Sequence, residues 1–181
     1  MQTGQHDRAP GDRSPGERVP IDERLSPVVL PIRLLNELFA HARESHPEEC
    51  CGLLTGSGPD SYLESHRCRN EMTKHHQSDP ATYPRDGREA FHMSEVDYLE
   101  VVRQAEAAGR FVTGIYHSHV DAEAYFSELD QDFASQPLFP FPGAAHFVVS
   151  IVEREIRGVG AFRRLQGGSG FEGRAVRAEG R

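Results

Sequence analysis

The stretch from Phe111 to His119, ending Gly114-Ile115-Tyr116-His117-Ser118-His119, constrains this chain more than any other. It is rich in β-branched and aromatic residues and reads as a buried strand, in which side chains two apart share a face. His117 and His119 then point the same way, and two imidazoles on one strand face can ligate one metal ion. Asp130 offers a carboxylate as a third ligand. Two imidazoles and a carboxylate leave one tetrahedral position open, which separates a catalytic zinc site from a closed structural one. Ser127-Glu128-Leu129-Asp130 also has the Ser-x-x-Asp form that opens helices, with Ser127 as N-cap. Leu129 and Phe133 would give that helix an apolar stripe to pack with.

Glu49 to Thr55 reads as another strand. Glu49, Cys51 and Leu53 fall on one face of it, and Glu48, Cys50 and Leu54 on the other, so only one glutamate of the pair can face a site. Periodicity does not say which. Such a residue is needed, because a water activated by zinc, with its pKa lowered to about 7, still requires a base to take its proton and carry it to a leaving nitrogen.

His117-x-His119, seven residues, Ser127, two residues, Asp130 resembles the motif of the JAMM (MPN-plus) zinc metalloproteases. The segment Pro47-Glu48-Glu49-Cys50-Cys51-Gly52 is similar to the upstream element of their prokaryotic members. The resemblance implies that Glu49 is the catalytic base, that His117, His119 and Asp130 hold one Zn2+, and that Ser127 is an active-site serine donating to the oxyanion. It implies hydrolysis of an amide or isopeptide bond after the C-terminal Gly-Gly of a ubiquitin-like or sulfur-carrier protein, releasing cysteine or freeing the carrier. A non-catalytic MPN scaffold that binds protein partners is the alternative, but such proteins lack motif residues that this chain keeps. Family members carry proline after the second histidine and before the serine, where this chain has Val120 and Phe126. That departure bears on loop shape and substrate preference rather than on metal binding.

The chain has 181 residues, enough for one domain with a sizeable core. Its formal charge of -8 argues against a general binder of nucleic acid or anionic membrane, both of which need a cationic surface. Cys50, Cys51 and Cys68 are odd in number and two are adjacent, a poor disulfide framework that fits a reducing, cytoplasmic setting. No secretory signal or membrane-spanning run is recognised. Residues 1–25 mix Gly, Pro, Arg and acids and are expected to form a disordered tail. The domain is expected over 26–166, with a flexible C-terminal tail over 167–181.

Within those bounds, Val28-Val29-Leu30 reads as a strand, and Ile32, Leu35, Leu38, Phe39 and Ala42 as one face of a helix that Pro47 stops. His41 and His46 would sit near its C-terminus as dipole-stabilised imidazoliums. Ser61 to Arg69 is a strand, Glu71 to Gly87 a loop holding a solvated His75-His76 pair, and Asn70 a turn residue that bonds backbone. Phe91 to Met93 is a short strand, and Ser94 with Asp97 a capping box for a helix to about Ala108. His146 to Val152 and Val159 to Arg163 form a hairpin, with His146 a packing residue. Alternating strands and helices make an α/β domain. The resemblance implies a single-domain curved mixed β-sheet flanked by two main helices, the helix after Pro31 on one side and the helix after Ser94 on the other.

Overall fold

The computed structural model describes residues 17–168 and 170–180, and its strands form one seven-stranded sheet. In chain order the elements are β1 (Val28–Pro31), α1 (Ile32–Ser45), β2 (Cys51–Gly56), β3 (Glu64–Cys68), α2 (Met72–Ser78), α3 (Glu95–Ala107), β4 (Phe111–Val120), α4 (Glu128–Ala134), β5 (Ala145–Val152), β6 (Glu155–Arg164) and β7 (Phe171–Glu179). The spatial order is β1-β7-β6-β5-β4-β2-β3. The sheet is mixed: β4 pairs antiparallel with β2 and parallel with β5, and β1 pairs parallel with β7. Strand β4 therefore has a partner on each side, and seven of its ten residues are buried.

The period-2 pattern of β4 divides its side chains between two cores. Tyr116 shares one face with Leu54 and Phe147 and is covered by Leu34, Leu35 and Leu38 of α1. Ile115 shares the other with Leu53 and Cys51 and is covered by Val101 and Tyr98 of α3. The two main helices thus lie on opposite sides of the sheet, as expected. Leu34 and Leu38 are completely buried, and each such side chain contributes about 1.5–3 kcal/mol through burial.

Several expectations fail for physical reasons. The tail expected over 167–181 contains β7, which pairs with β6 on one side and β1 on the other, so backbone bonding orders a stretch with few apolar residues. Gly173 in β7 lets another segment approach, since a Cβ there would lie 2.3 Å from the Pro20 carbonyl oxygen. The tail expected over 1–25 is only partly within the described residues, and from residue 17 onward it is attached to the domain. Val19 is buried and bridges Phe126, and Ile21 bridges Gly173. Residues 1–16 lie outside the described residues.

The loop expected from Glu71 to Gly87 includes α2, which buries none of its residues and so carries no apolar periodicity. It is initiated by Asn70, whose Oδ1 accepts from the Met72 N–H at 3.0 Å. The strand expected at Phe91–Met93 reduces to one bridge between Asn70 and Met93. Ser94 is the N-cap of α3 but makes no capping bond; its hydroxyl and Asp97 are both taken by Arg69. His41 is buried, not a surface imidazolium: burial, with Arg67 nearby, lowers its pKa to about 4, and Nδ1 lies 2.9 Å from the Tyr116 hydroxyl. No helix among the described residues is long and apolar enough to cross a membrane.

Candidate metal centre

His117 and His119 lie at the end of β4 where it passes between Cys51 of β2 and Val148 of β5. Both rings leave the same face, and Asp130, in the first turn of α4, meets them. His117 Nε2 is 3.2 Å from His119 Nε2 and 3.4 Å from Asp130 Oδ1, and His119 Nε2 is 3.5 Å from Asp130 Oδ2. Donors bound tetrahedrally at about 2.0–2.1 Å from one ion stand about 3.3–3.4 Å apart, so two imidazoles and one carboxylate at these separations fit a single zinc ion. Among the described residues these three form the sole cluster of its kind.

The surroundings fix the donors. His119 Nδ1 is 3.1 Å from the Glu123 carbonyl, which takes the proton there and leaves Nε2 a lone pair for a metal. Tyr125 packs on the same ring at 4.8 Å between centroids, and Phe91 stacks on His117 at 4.6 Å. His117 Nδ1, by contrast, is buried without a hydrogen-bond partner among the described residues. Asp130 is oriented by a complete capping box: its Oδ2 accepts from the Ser127 N–H at 2.9 Å, and Ser127 Oγ accepts from the Asp130 N–H at 3.1 Å. The Ser127 hydroxyl also gives its proton to Asp130 Oδ2 at 2.6 Å. A hydroxyl has one proton, so Ser127 must rotate that O–H away from Asp130 before it can donate to anything else. Burial alone would raise the Asp130 pKa; the His117 and His119 imidazoles outweigh it and hold the carboxyl well below its usual range.

The glutamate pair is divided by the turn into β2. Glu49 is 6% exposed and lines the same cavity as His117, His119 and Asp130. Burial, reinforced by the Asp130 charge, pushes its pKa well above the ordinary carboxylate value, while Arg85 pulls the other way. Its backbone is clamped: the N–H donates to the Gly87 carbonyl at 2.7 Å, and the carbonyl accepts from Asn70 Nδ2 at 3.1 Å. Asn70 also donates to the Ala90 carbonyl and accepts from the His92 N–H, so it ties Glu49 to the following loop. Glu48 faces elsewhere, accepting from the Thr73 hydroxyl at 2.6 Å.

The cavity measures about 700 Å³. Its walls include Phe91, Met93, Phe139 and Phe141, together with Leu129 and Phe133, which remain roughly half exposed. The stripe expected to pack α4 against the core thus faces the cavity instead. Tyr125 and Arg85 reach the site from segments without periodicity, and Phe91 from a stretch that reads as a short strand, so none of the three carried a signal for the site. His75 stacks on Tyr83 and meets His92 edge-on, and it is not part of the cluster of three ligand-type residues. His146 packs against Phe139 and Phe126, and burial, with His117 nearby, lowers its pKa to about 3.

Residues 31–165 match the family model for prokaryotic homologues of the JAB domain. The chain is 37% identical over 123 residues to the CysO-cysteine peptidase of Mycobacterium tuberculosis (strain ATCC 25618 / H37Rv), across 67% of this chain and 72% of that protein. It is 28% identical over 106 residues to the desampylase of Haloferax volcanii, across 56% of this chain and 68% of that one. A solution structure of a protein from Desulfitobacterium hafniense superposes with a TM-score of 0.59 at 21% identity, covering 83% of this chain and 92% of that one. That last likeness is one of fold.

Proposed function

Because the chain belongs to the family of prokaryotic JAB-domain homologues, we propose that it is a zinc-dependent peptidase. It hydrolyses an amide or isopeptide bond after the C-terminal Gly-Gly of a ubiquitin-like or sulfur-carrier protein. The observation that carries this reading is the convergence of His117, His119 and Asp130 within zinc-ligand distances beside the buried Glu49. The similarity to a CysO-cysteine peptidase and to a desampylase supports the class of substrate.

His117 Nε2, His119 Nε2 and the Asp130 carboxylate would hold the ion, the carboxylate being oriented for it by Ser127. Zinc, when bound, supplies Lewis acidity and a water acidic enough to lose a proton near neutral pH. The Glu49 carboxylate takes the proton of the attacking water and passes it to the leaving nitrogen. Its burial gives it the raised proton affinity that suits both halves of that transfer. Ser127, once its O–H turns from Asp130, donates to the oxygen of the tetrahedral intermediate while its lone pair keeps the helix cap. Phe91 and Tyr125 shield the imidazoles from bulk water. The remaining apolar wall suits an extended tail with small side chains.

The test is incubation of the zinc-loaded protein with a Gly-Gly-ended carrier bearing a C-terminal extension, read by intact mass. Release of the extension at the Gly-Gly junction is expected. An unchanged mass with a stoichiometrically zinc-loaded protein would overturn the proposal.

A further inference from the structure

The cavity wall changes character from one side to the other. Along α4 it is apolar, with Leu129 and Phe133 next to Phe139. Beside Glu49 it is formed by the segment 85–90, which brings Arg85 and Arg88, the only permanently cationic side chains lining the cavity among the described residues. This segment is held firmly. Gly87 accepts from the Glu49 N–H at 2.7 Å, its own N–H donates to Thr73 Oγ1 at 2.9 Å, and a Cβ at Gly87 would sit 2.8 Å from both Glu48 Cδ and Thr73 Oγ1. The Glu48–Thr73 bond is therefore the brace behind the segment. Arg85 itself is exposed and makes no side-chain hydrogen bond or ion pair among the described residues. It lines the same cavity as Glu49, two residues before Gly87, whose carbonyl accepts from the Glu49 N–H.

A base that hands a proton to a leaving nitrogen must lie beside that nitrogen. In a C-terminal amino acid the carboxylate carbon is about 2.5 Å from the α-nitrogen, so whatever stands next to Glu49 stands within reach of that carboxylate. A planar guanidinium matches a carboxylate in bidentate fashion. The leaving ε-amine of a lysine side chain brings no such anion, since its own carboxyl is tied up in a peptide bond. Given the peptidase reading, we infer that Arg85 binds the free α-carboxylate of the departing amino acid. The protein is thereby a remover of single C-terminal residues from its carrier in preference to an opener of lysine isopeptides. The bond broken is the amide between the carrier's last glycine and that residue; water supplies OH to the glycine acyl carbon and H to the departing amine.

The experiment uses the full-length zinc-loaded protein and a Gly-Gly-ended carrier extended by one residue, ending either in a carboxylate or in a carboxamide. Charge-assisted hydrogen bonding predicts a kcat/KM ratio of about 10- to 100-fold in favour of the carboxylate. Arg85→Gln should bring the ratio close to one, Arg85→Glu should bring it below one, and Arg88→Gln should keep it. Binding is read separately by calorimetry in the Glu49→Gln background, where the carboxylate-ended carrier should bind more tightly unless Arg85 is also replaced. Equal use of both ends by the unaltered protein, an equal loss on both in Arg85→Gln, or erasure of the ratio by Arg88→Gln alone would each overturn the assignment. Should neither end be cleaved while Glu49→Gln still distinguishes them through Arg85, the anchor stands and the hydrolase reading falls. If Glu49→Gln binds both ends alike, the anchor falls whatever the activity.

Discussion

The two faces of β4 bury comparable amounts of polar chemistry and treat it in opposite ways. On the α1 face, the Tyr116 hydroxyl meets His41 Nδ1 at 2.9 Å, and Ser118 Oγ accepts from the Cys50 N–H at 2.8 Å. Every one of those groups has a partner inside the protein. On the cavity face, one residue away in sequence, His117 leaves Nδ1 without a partner among the described residues, and two Nε2 atoms and the Asp130 carboxylate crowd within 3.2–3.5 Å of one another. Glu49 is buried beside them with its proton affinity raised. Buried polar groups are normally satisfied, so a satisfied set is structural and an unsatisfied convergent set marks chemistry.

The contrast can be broken most directly at His117. His117→Ala should abolish zinc binding and hydrolysis together, by metal analysis of the purified protein and by intact mass of the carrier. Retained stoichiometric zinc would place the ion elsewhere. Glu49→Gln should keep zinc but lose about 10²–10⁴-fold in rate, the usual scale for a general base. Glu48→Gln, which alters the Thr73 brace behind Gly87 and not the cavity face, should lose far less. If the two glutamine variants exchanged behaviour, the assignment of the pair would be reversed.

Ser127→Ala tests a residue that belongs to both kinds of chemistry. Its kcat should fall about 10²–10³-fold through the missing oxyanion donor. Its stability should fall by about 0.5–2 kcal/mol through the missing cap, read by urea unfolding of the metal-free protein. On the satisfied face, Tyr116→Phe should cost about 1–3 kcal/mol of stability by orphaning His41 Nδ1, with hydrolysis largely retained. A comparable loss of activity would join the two faces functionally. A further effect is on acid stability. Burial lowers the His41 pKa from 6.5 to about 4, so between those values the unfolded chain holds a proton that the folded chain does not. The stability linked to His41 is present above pH 6.5 and is lost as pH falls toward 4. His41→Asn should flatten that part of the curve of midpoint temperature against pH for the metal-free protein.

What could be read in the sequence was what periodicity and local spacing encode. The parity of β4 set His117 beside His119, and Ser-x-x-Asp announced the cap that now orients Asp130. The α1 stripe was equally plain, because Leu35, Leu38 and Ala42 recur at helical spacing and are all buried. Strand β7 was not, because its order comes from two neighbouring backbones and from a few side chains, Phe171 among them, whose partners lie far away in sequence. The choice between Glu48 and Glu49 needed the resemblance, since alternation gives two faces without naming the inner one. Phe126, where relatives of the resembled family carry proline, proves to be completely buried and stacked on Phe162 at 5.3 Å. Nothing local announced that, because its partners come from β6, β7 and Val19.

The bridge from Val19 to Phe126 has a practical consequence at the bench. The connector that presses Tyr125 onto His119 is stitched to a stretch more than a hundred positions earlier, whose Arg18 lies over the Tyr125 ring at 4.3 Å. Loss of the stretch from residue 17 to Ile21 would loosen the side of the cavity that holds His119. Trimming the polypeptide back to β1 would keep all seven strands, strip the Ile21 bridge from β7 and leave that side slack.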